Sequence, residues 1–149
     1  MSEDISHPLL SLVKDQGLVD DLQYEEALGE FKRTGKPMSV RMTNCGPLGW
    51  VTDKERGYRY QPVHPVTGKP WPPMPQRVMD LWKSYAACPL EPEACLINFY
   101  TESAKMGLHQ DRDEAEFSAP VLSISLGDAC LFRVGGTRRE ERTVSFRLE

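Results

Sequence analysis

Residues 95–148 decide the fold, and they read CLINFYTESAKMGLHQDRDEAEFSAPVLSISLGDACLFRVGGTRREERTVSFRL. Short apolar runs in this stretch are separated by turn-forming residues, which predicts four strands over residues 95–100, 120–126, 129–134 and 143–148. In the last run Val144, Phe146 and Leu148 alternate with polar residues. Because short antiparallel strands with tight turns are typical of a sandwich or jelly roll, the sequence predicts a mainly β fold with some helix.

Within this stretch, the segment MGLHQDRDE carries the most specific chemical signal. His109 and Asp111 are two residues apart, so in an extended backbone both side chains point the same way. They are then able to supply two ligands of the 2-His-1-carboxylate triad that binds non-heme Fe(II). A His-x-Asp pair arises by chance in a chain of this composition with a probability of about one in five. An ordinary surface pair therefore stays open as the alternative.

The segment before these strands has a different texture. Residues 43–75 are rich in proline and glycine with interleaved aromatic residues, which indicates loops and edge strands. His64 lies in this segment, and we expect its side chain to be exposed. From Pro75 the periodicity predicts a helix with one apolar face formed by Val78, Leu81, Trp82 and Tyr85.

Charge is unevenly distributed along the 149 residues, although the net charge is only −4. Residues 1–35 hold 3 basic and 8 acidic residues, whereas residues 33–77 hold 8 basic and 2 acidic ones. The basic segment indicates a surface that faces a polyanion such as nucleic acid. A solvated face without a ligand is the plainer alternative.

The first 37 residues are expected to form an acidic arm of two short helices. The first is capped by Ser6 and ends at Gly17, and the second has an apolar stripe of Tyr24, Ala27, Leu28 and Phe31. The pattern HPLLSLVKDQGLVDDLQYEEALGEFKRTGKP resembles the amino-terminal segment of the ATPases of type II secretion and pilus assembly. With the junction at RTGKPMSV, this resemblance suggests a fusion or mosaic chain.

Composition also bears on the cellular compartment. No apolar run approaches the roughly 20 residues of a membrane helix, and the start MSEDISHPLL carries acids where a signal peptide would carry Lys or Arg. The four cysteines form no CxxC pair, which favours reduced thiols and disfavours a structural zinc site. We therefore expect a cytoplasmic protein that has no membrane partner. We also expect the protein to be a monomer.

Several segments in order resemble one family. RMTNCGPLGW, GYRYQPVHPVTGKPWPPMP, CLINFY, LHQDRDE, APVLSISLG and LFRVGG are together similar to the AlkB family of Fe(II)- and 2-oxoglutarate-dependent dioxygenases, which oxidatively remove alkyl groups from nucleic-acid bases. The resemblance covers residues 38–149 and implies a double-stranded β-helix (jelly roll) core. It divides this part into a nucleotide-recognition lid, residues 38–75, and a partial core, residues 76–149.

The resemblance also implies a role for individual residues. His109 and Asp111 would bind Fe(II), and Asn98 and Tyr100 would contact 2-oxoglutarate. The implied substrate contacts are Met42, Trp50, Tyr58, Tyr60, Asp113 and Arg139. Simpler structural roles remain for several of them: lid packing for Trp50 and Tyr58, a strand backbone contact for Asn98, and a solvated position for Arg139.

The family pattern stops before its second histidine ligand and its 2-oxoglutarate-binding arginines, and neither His7 nor His64 matches that ligand. The expectation is therefore an alkylation-repair dioxygenase that demethylates 1-methyladenine or 3-methylcytosine in single-stranded DNA or RNA, with a core incomplete at the carboxyl end and no activity as this chain. The alternatives are a nucleic-acid-binding module without turnover and a protein-interaction module of mosaic origin.

Overall fold

A computed structural model describes residues 38–101, 103–111 and 114–148, together with the backbone of residues 12–13. Its elements in chain order are β1 Leu12–Val13, β2 Arg41–Cys45, β3 Gly49–Asp53, β4 Gly57–Gln61, α1 Gln76–Tyr85, β5 Cys95–Phe99, β6 Ser123–Ile124, β7 Cys130–Val134 and β8 Val144–Leu148. The chain is mainly β with little helix, as the sequence predicts. The four strands predicted in residues 95–148 correspond to β5 through β8, and the second is shortened to two residues.

The strands pair two by two. β2 pairs with β5, β3 with β4, and β7 with β8, all antiparallel, whereas β1 pairs with β6 in parallel. The described residues thus form four two-stranded sheets, and they do not by themselves display the two larger sheets of a jelly roll. The β2–β5 register places Met42 opposite Asn98. The β3–β4 register places Trp50 opposite Tyr60.

The predicted first helix of the arm is wrong at Leu12 and Val13, which form β1 and pair with Ser123 and Ile124. A short apolar run does not distinguish a strand from a helix by periodicity, and here a parallel partner strand satisfies the backbone. The rest of the two-helix arm lies outside the described residues, and so does the junction before residue 38.

A small core forms around Trp71, which packs with Val51. The Trp71 indole packs closely against Gly49, where an added Cβ would come within 2.3 Å of the ring. Its Nε1–H donates a 2.9 Å hydrogen bond to the Gln61 carbonyl at the end of β4. Trp71 therefore fixes the β3–β4 hairpin from one side.

His64 is buried, with 4% of its surface exposed, so the expectation of an exposed side chain is wrong. Its Nδ1 accepts hydrogen bonds from the backbone N–H groups of Val66 and Thr67, both at 3.2 Å. Its ring centroid lies 5.3 Å from that of Trp71. The imidazole is buried because it satisfies the donors of a tight turn and packs on the core tryptophan.

The predicted helix is confirmed as α1. Pro75 is its N-cap residue, and Val78 is its buried position. At its carboxyl end, Trp82 Nε1–H donates a 2.8 Å hydrogen bond to the Leu90 carbonyl. Among the described residues no helix is long and apolar enough to cross a membrane.

All four cysteines are free thiols, and two of them face each other. Cys45 at the end of β2 lies opposite Cys95 at the start of β5. The hydrogen bond with Cys95, together with burial, raises the pKa of Cys45. The same hydrogen bond lowers the pKa of Cys95. Cys95 is therefore the more acidic thiol of the pair.

The turn between β3 and β4 is stabilised by Asp53. One carboxylate oxygen accepts a 2.6 Å hydrogen bond from Arg56 N–H, and the other lies 2.7 Å from Arg59 Nη1. The Arg56 bond first, and then the Arg59 side chain, lower the pKa of Asp53 below its ordinary value of 3.8. Because the pKa of Asp53 is lower in the folded than in the unfolded chain, ionised Asp53 stabilises the fold at pH values above its unfolded-state pKa. This stabilisation is lost as the pH falls through the folded-state pKa.

We therefore expect the melting temperature of the wild type to exceed that of Asp53→Asn at pH 7, and the gap to close as the pH is lowered from 4 to 2. Thermal unfolding followed by circular dichroism at a series of pH values measures this gap. A gap that does not change with pH would contradict the assignment.

Candidate functional site

The two residues of the His-x-Asp motif lie side by side in the structure. His109 Nε2 is 3.5 Å from Asp111 Oδ1, and the two side chains are 57% and 54% exposed. Two donors that each bind a common ion at about 2.0–2.2 Å lie about 3–3.5 Å apart when their bonds are roughly at right angles or slightly wider. The observed separation therefore suits two ligands of one metal ion.

The second nitrogen of His109 orients the ring. Nδ1 lies 2.8 Å from the Gly107 carbonyl oxygen, which has no proton to give, so Nδ1–H is the donor. Neutral imidazole then keeps its lone pair on Nε2, the nitrogen beside Asp111. A backbone carbonyl that orients a histidine in this way is the usual outer contact of a metal-binding imidazole.

Among the described residues, no group of three or more His, Cys, Asp or Glu side chains is close enough to hold a metal. His64 does not join this pair, because its Nδ1 is engaged by Val66 and Thr67 and its ring packs on Trp71. Asp113, the predicted contact to the base, lies outside the described residues.

Two hydrogen bonds connect the metal-motif segment, residues 107–114, to distant parts of the chain. Tyr60 Oη on β4 donates to Glu114 Oε1 at 2.6 Å. Gln110 Nε2 donates to the Thr137 carbonyl oxygen at 2.5 Å. Arg139 is exposed two residues beyond Thr137. The structure thus brings the β3–β4 hairpin and the loop with Arg139 to the segment that carries His109 and Asp111.

The hairpin presents two predicted substrate contacts together. The rings of Trp50 and Tyr58 stack with their centroids 5.4 Å apart and their planes 19° apart. The residues lie on the same face of the hairpin, since Trp50 pairs with Tyr60 and Tyr58 is its diagonal neighbour. Trp50 is half-buried and Tyr58 is 41% exposed, so the pair forms an aromatic wall with an open side.

The other predicted contacts lie on or next to the β2–β5 pair. Met42 is buried on β2, directly opposite Asn98 on β5. Asn98 Oδ1 is buried and has no hydrogen-bond partner in the described part of the chain. Tyr100 follows β5 directly, and burial of its hydroxyl first, then the neighbouring Cys130, raise the pKa of Tyr100. The buried Oδ1 of Asn98 is able to accept a hydrogen bond from a group that carries a donor.

Sequence reasoning missed the residues that hold the site together. Asn44, Gln110 and Glu114 each bond to a predicted site residue or to the segment around it. Gln110 and Glu114 lie inside the quoted motif, which is the signal that was available for them. No sequence pattern indicates Asn44, because β2 reads RMTNC and contains other polar residues.

Comparison with known proteins places the chain among oxygenases. Residues 10–149 match the model of the 2OG-Fe(II) oxygenase superfamily. The chain is 56% identical over 114 residues to an "Alpha-ketoglutarate-dependent dioxygenase AlkB homolog" of Caulobacter vibrioides, which covers 76% of this chain and 51% of the relative. It is 46% identical over 119 residues to "Alpha-ketoglutarate-dependent dioxygenase AlkB" of Escherichia coli K12, covering 77% of this chain and 55% of the relative.

A human relative, "Nucleic acid dioxygenase ALKBH1", is 34% identical over 99 residues, which is 63% of this chain and 25% of the relative. The chain thus spans about half the length of the two bacterial relatives. The family match begins at residue 10, inside the segment predicted as a separate arm. The resemblance of residues 1–37 to secretion and pilus-assembly ATPases has no support from these comparisons.

Proposed function

The chain belongs to the 2OG-Fe(II) oxygenase superfamily as a homologue of the AlkB dioxygenases, and from this membership we propose that it serves the oxidative demethylation of alkylated bases in single-stranded nucleic acid. The observation that carries the proposal is the pair His109 Nε2 and Asp111 Oδ1, 3.5 Å apart, in a segment bonded to the hairpin with the aromatic wall. This hydrogen bond connects the segment with the proposed metal ligands to the hairpin with the proposed base-stacking residues.

The donor set fits Fe(II). A neutral imidazole nitrogen and a carboxylate oxygen are two of the three protein ligands of a facial-triad iron site. His109 is fixed in the tautomer that leaves Nε2 free to bind, because Nδ1–H donates to Gly107. His109 and Asp111 would hold the ion, and their exposure leaves its remaining positions open to other ligands.

Asn98 and Tyr100 are the residues proposed to contact 2-oxoglutarate. Asn98 on β5 and Tyr100 lie two residues apart, and the Nδ2–H of Asn98 would be the donor, because the carboxylate and keto oxygens of 2-oxoglutarate only accept hydrogen bonds. The Tyr100 hydroxyl is a hydrogen-bond donor at neutral pH, as an ordinary phenol is, and would donate to an oxyanion; its raised pKa extends this protonated form to higher pH. Bound iron together with 2-oxoglutarate supplies the oxidation of the N-methyl carbon.

The chain's own residues would bind and orient the strand. The stacked rings of Trp50 and Tyr58 offer a flat face on which any extruded base is able to stack. Met42 would line the recognition lid, Tyr60 would lie along the strand, and Arg139 would reach it from the loop bonded to Gln110. Asp113 would face a base that carries a positive charge, such as 1-methyladenine or 3-methylcytosine.

Further proposals follow from the family. The antiparallel pairs β2–β5 and β7–β8 support a double-stranded β-helix core, and a lid over residues 38–75 is consistent with the β3–β4 hairpin. Three statements stay predictions: that residues 1–37 form a separate acidic arm, that the protein is a monomer, and that it is cytoplasmic. The proposed reaction would serve the repair of alkylation damage in DNA or RNA.

Release of formaldehyde tests the proposal. These 149 residues bring together two predicted iron ligands, so we expect turnover when a family segment with a histidine ligand and a carboxylate-binding arginine is fused to the carboxyl end. With Fe(II), ascorbate and 2-oxoglutarate, the fusion should release formaldehyde from a 1-methyladenine strand, and its His109→Ala form should not. The unfused polypeptide should match that variant. Strand and metal binding by the fusion without formaldehyde would favour the non-catalytic binding module.

A further inference from the structure

Asn44 is the most deeply buried polar side chain of the structure's described part, with 1% of its surface exposed. Its Nδ2–H donates to the Trp50 carbonyl at 2.9 Å, and its Oδ1 accepts from the Trp50 N–H, also at 2.9 Å. Both polar atoms of the Asn44 side-chain amide therefore form hydrogen bonds with the backbone of Trp50. That residue carries the larger ring of the aromatic wall.

These two bonds replace a strand pairing. β2 pairs with β5, and β3 pairs with β4, so no strand ladder joins β2 to β3. The Asn44 side chain makes to Trp50 the two bonds that a paired residue of a neighbouring strand would make. The position of Trp50 relative to β2 is thus set by this amide.

The arrangement connects the two predicted binding surfaces. Asn44 and Met42 are two residues apart on β2 and lie on one face of the β2–β5 pair, which they share with Asn98. From that face Asn44 reaches Trp50, whose ring stacks on Tyr58. The other side of the hairpin is fixed separately, by Trp71 against Gly49.

We propose that Asn44 is a positioning residue for substrate recognition, an inference that rests on the proposed function. Its side chain holds the Trp50–Tyr58 wall at the place where the extruded base stacks. Only a short side chain with one donor and one acceptor makes both bonds. Aspartate has the same shape but offers no donor, and its charge opposes the Trp50 carbonyl. Asn44→Asp therefore removes the positioning with little change in volume.

The first arm of the test needs no substrate. Near-ultraviolet circular dichroism of the full chain gives a difference signal between the wild type and Trp50→Phe, which belongs to the Trp50 ring in its wall. Asn44→Asp should lose at least about half of that signal. Cys45→Ala, a change at the buried neighbour that points to the other face, should keep it. If Asn44→Asp fails to fold by far-ultraviolet circular dichroism, Asn44→Ser replaces it and should show a smaller loss.

The second arm measures recognition by fluorescence anisotropy with a 1-methyladenine strand and its unmethylated counterpart. Asn44→Asp should reduce the ratio of the affinities for the methylated and unmethylated strands by about fivefold. In a protein that already carries Trp50→Ala, adding Asn44→Asp should change the affinity for the methylated strand by less than about twofold. If Asn44 had only a structural role, Asn44→Asp would reduce the affinity for both strands equally. Its effect on affinity would then add to that of Trp50→Ala.

The outcomes separate the two proposals. A wild type without preference for the methylated strand would contradict the proposed function, and the dichroism arm would still decide the role of Asn44. Retention of the Trp50 signal in Asn44→Asp, or an additive loss in the double variant, would overturn the positioning role.

Discussion

Replacement of His109 by alanine is expected to abolish specific metal binding by the chain. The wild type should bind Fe(II) or Mn(II) weakly and release it to a chelator, because His109 and Asp111 are the two donors that meet in the described structure. Loss of an outer contact of a metal ligand costs about 10- to 100-fold in affinity, and loss of a ligand itself should cost at least about 100-fold. Asp111→Asn should have a similar effect, since it removes the anionic oxygen.

Isothermal titration with Mn(II), which does not oxidise readily, measures this loss. Glu116→Gln is the matched control, because Glu116 is an exposed carboxylate on the same stretch whose hydrogen bond is to Ser118 N–H. It should bind as the wild type does. Sub-micromolar binding that persists in His109→Ala would contradict the assignment of these ligands.

Trp50→Ala is expected to weaken binding of a methylated single strand by about 1–3 kcal/mol, which is about 5- to 150-fold. The reason is the loss of one base stack on the wall that Trp50 forms with Tyr58. The affinity of both the wild type and Trp50→Ala for the strand should fall with added salt. The basic residues of the lid, residues 38–75, would neutralise phosphates and release counterions.

Fluorescence anisotropy at fixed salt gives the two affinities. Tyr85→Ala serves as the control, since Tyr85 is an aromatic residue on α1 with 51% of its surface exposed. It should not change strand affinity. Equal affinities of wild type and Trp50→Ala would show that the tryptophan only packs the lid.

Much of the local structure could be predicted from sequence, because it depends on local patterns. Alternation of apolar and polar residues gave β8, and Pro75 with a 3.6-residue period gave α1. The spacing of His109 and Asp111 was sufficient to predict that they lie together. The tautomer of His109 was not predictable, since it depends on the Gly107 carbonyl.

The misses depend on contacts that sequence patterns do not encode. His64 has the composition of a surface turn around it, yet Trp71 and two backbone donors bury it. Leu12 and Val13 became a strand because β6, more than 100 residues later, offered a partner. Asn44 bonds to a strand with which β2 has no ladder, so no periodicity indicates it.

We expect the base that stacks on the aromatic wall to lie next to a metal ion bound by His109 and Asp111. The most direct measurement is the carbon-13 and proton spectrum of a 1-methyladenine strand labelled at the N-methyl group, bound to the chain with Mn(II) in the site. Paramagnetic Mn(II) should broaden the methyl signal strongly, and His109→Ala or Trp50→Ala should restore a sharp signal. A methyl signal that stays sharp when both Mn(II) and strand are bound to the wild type would contradict the account.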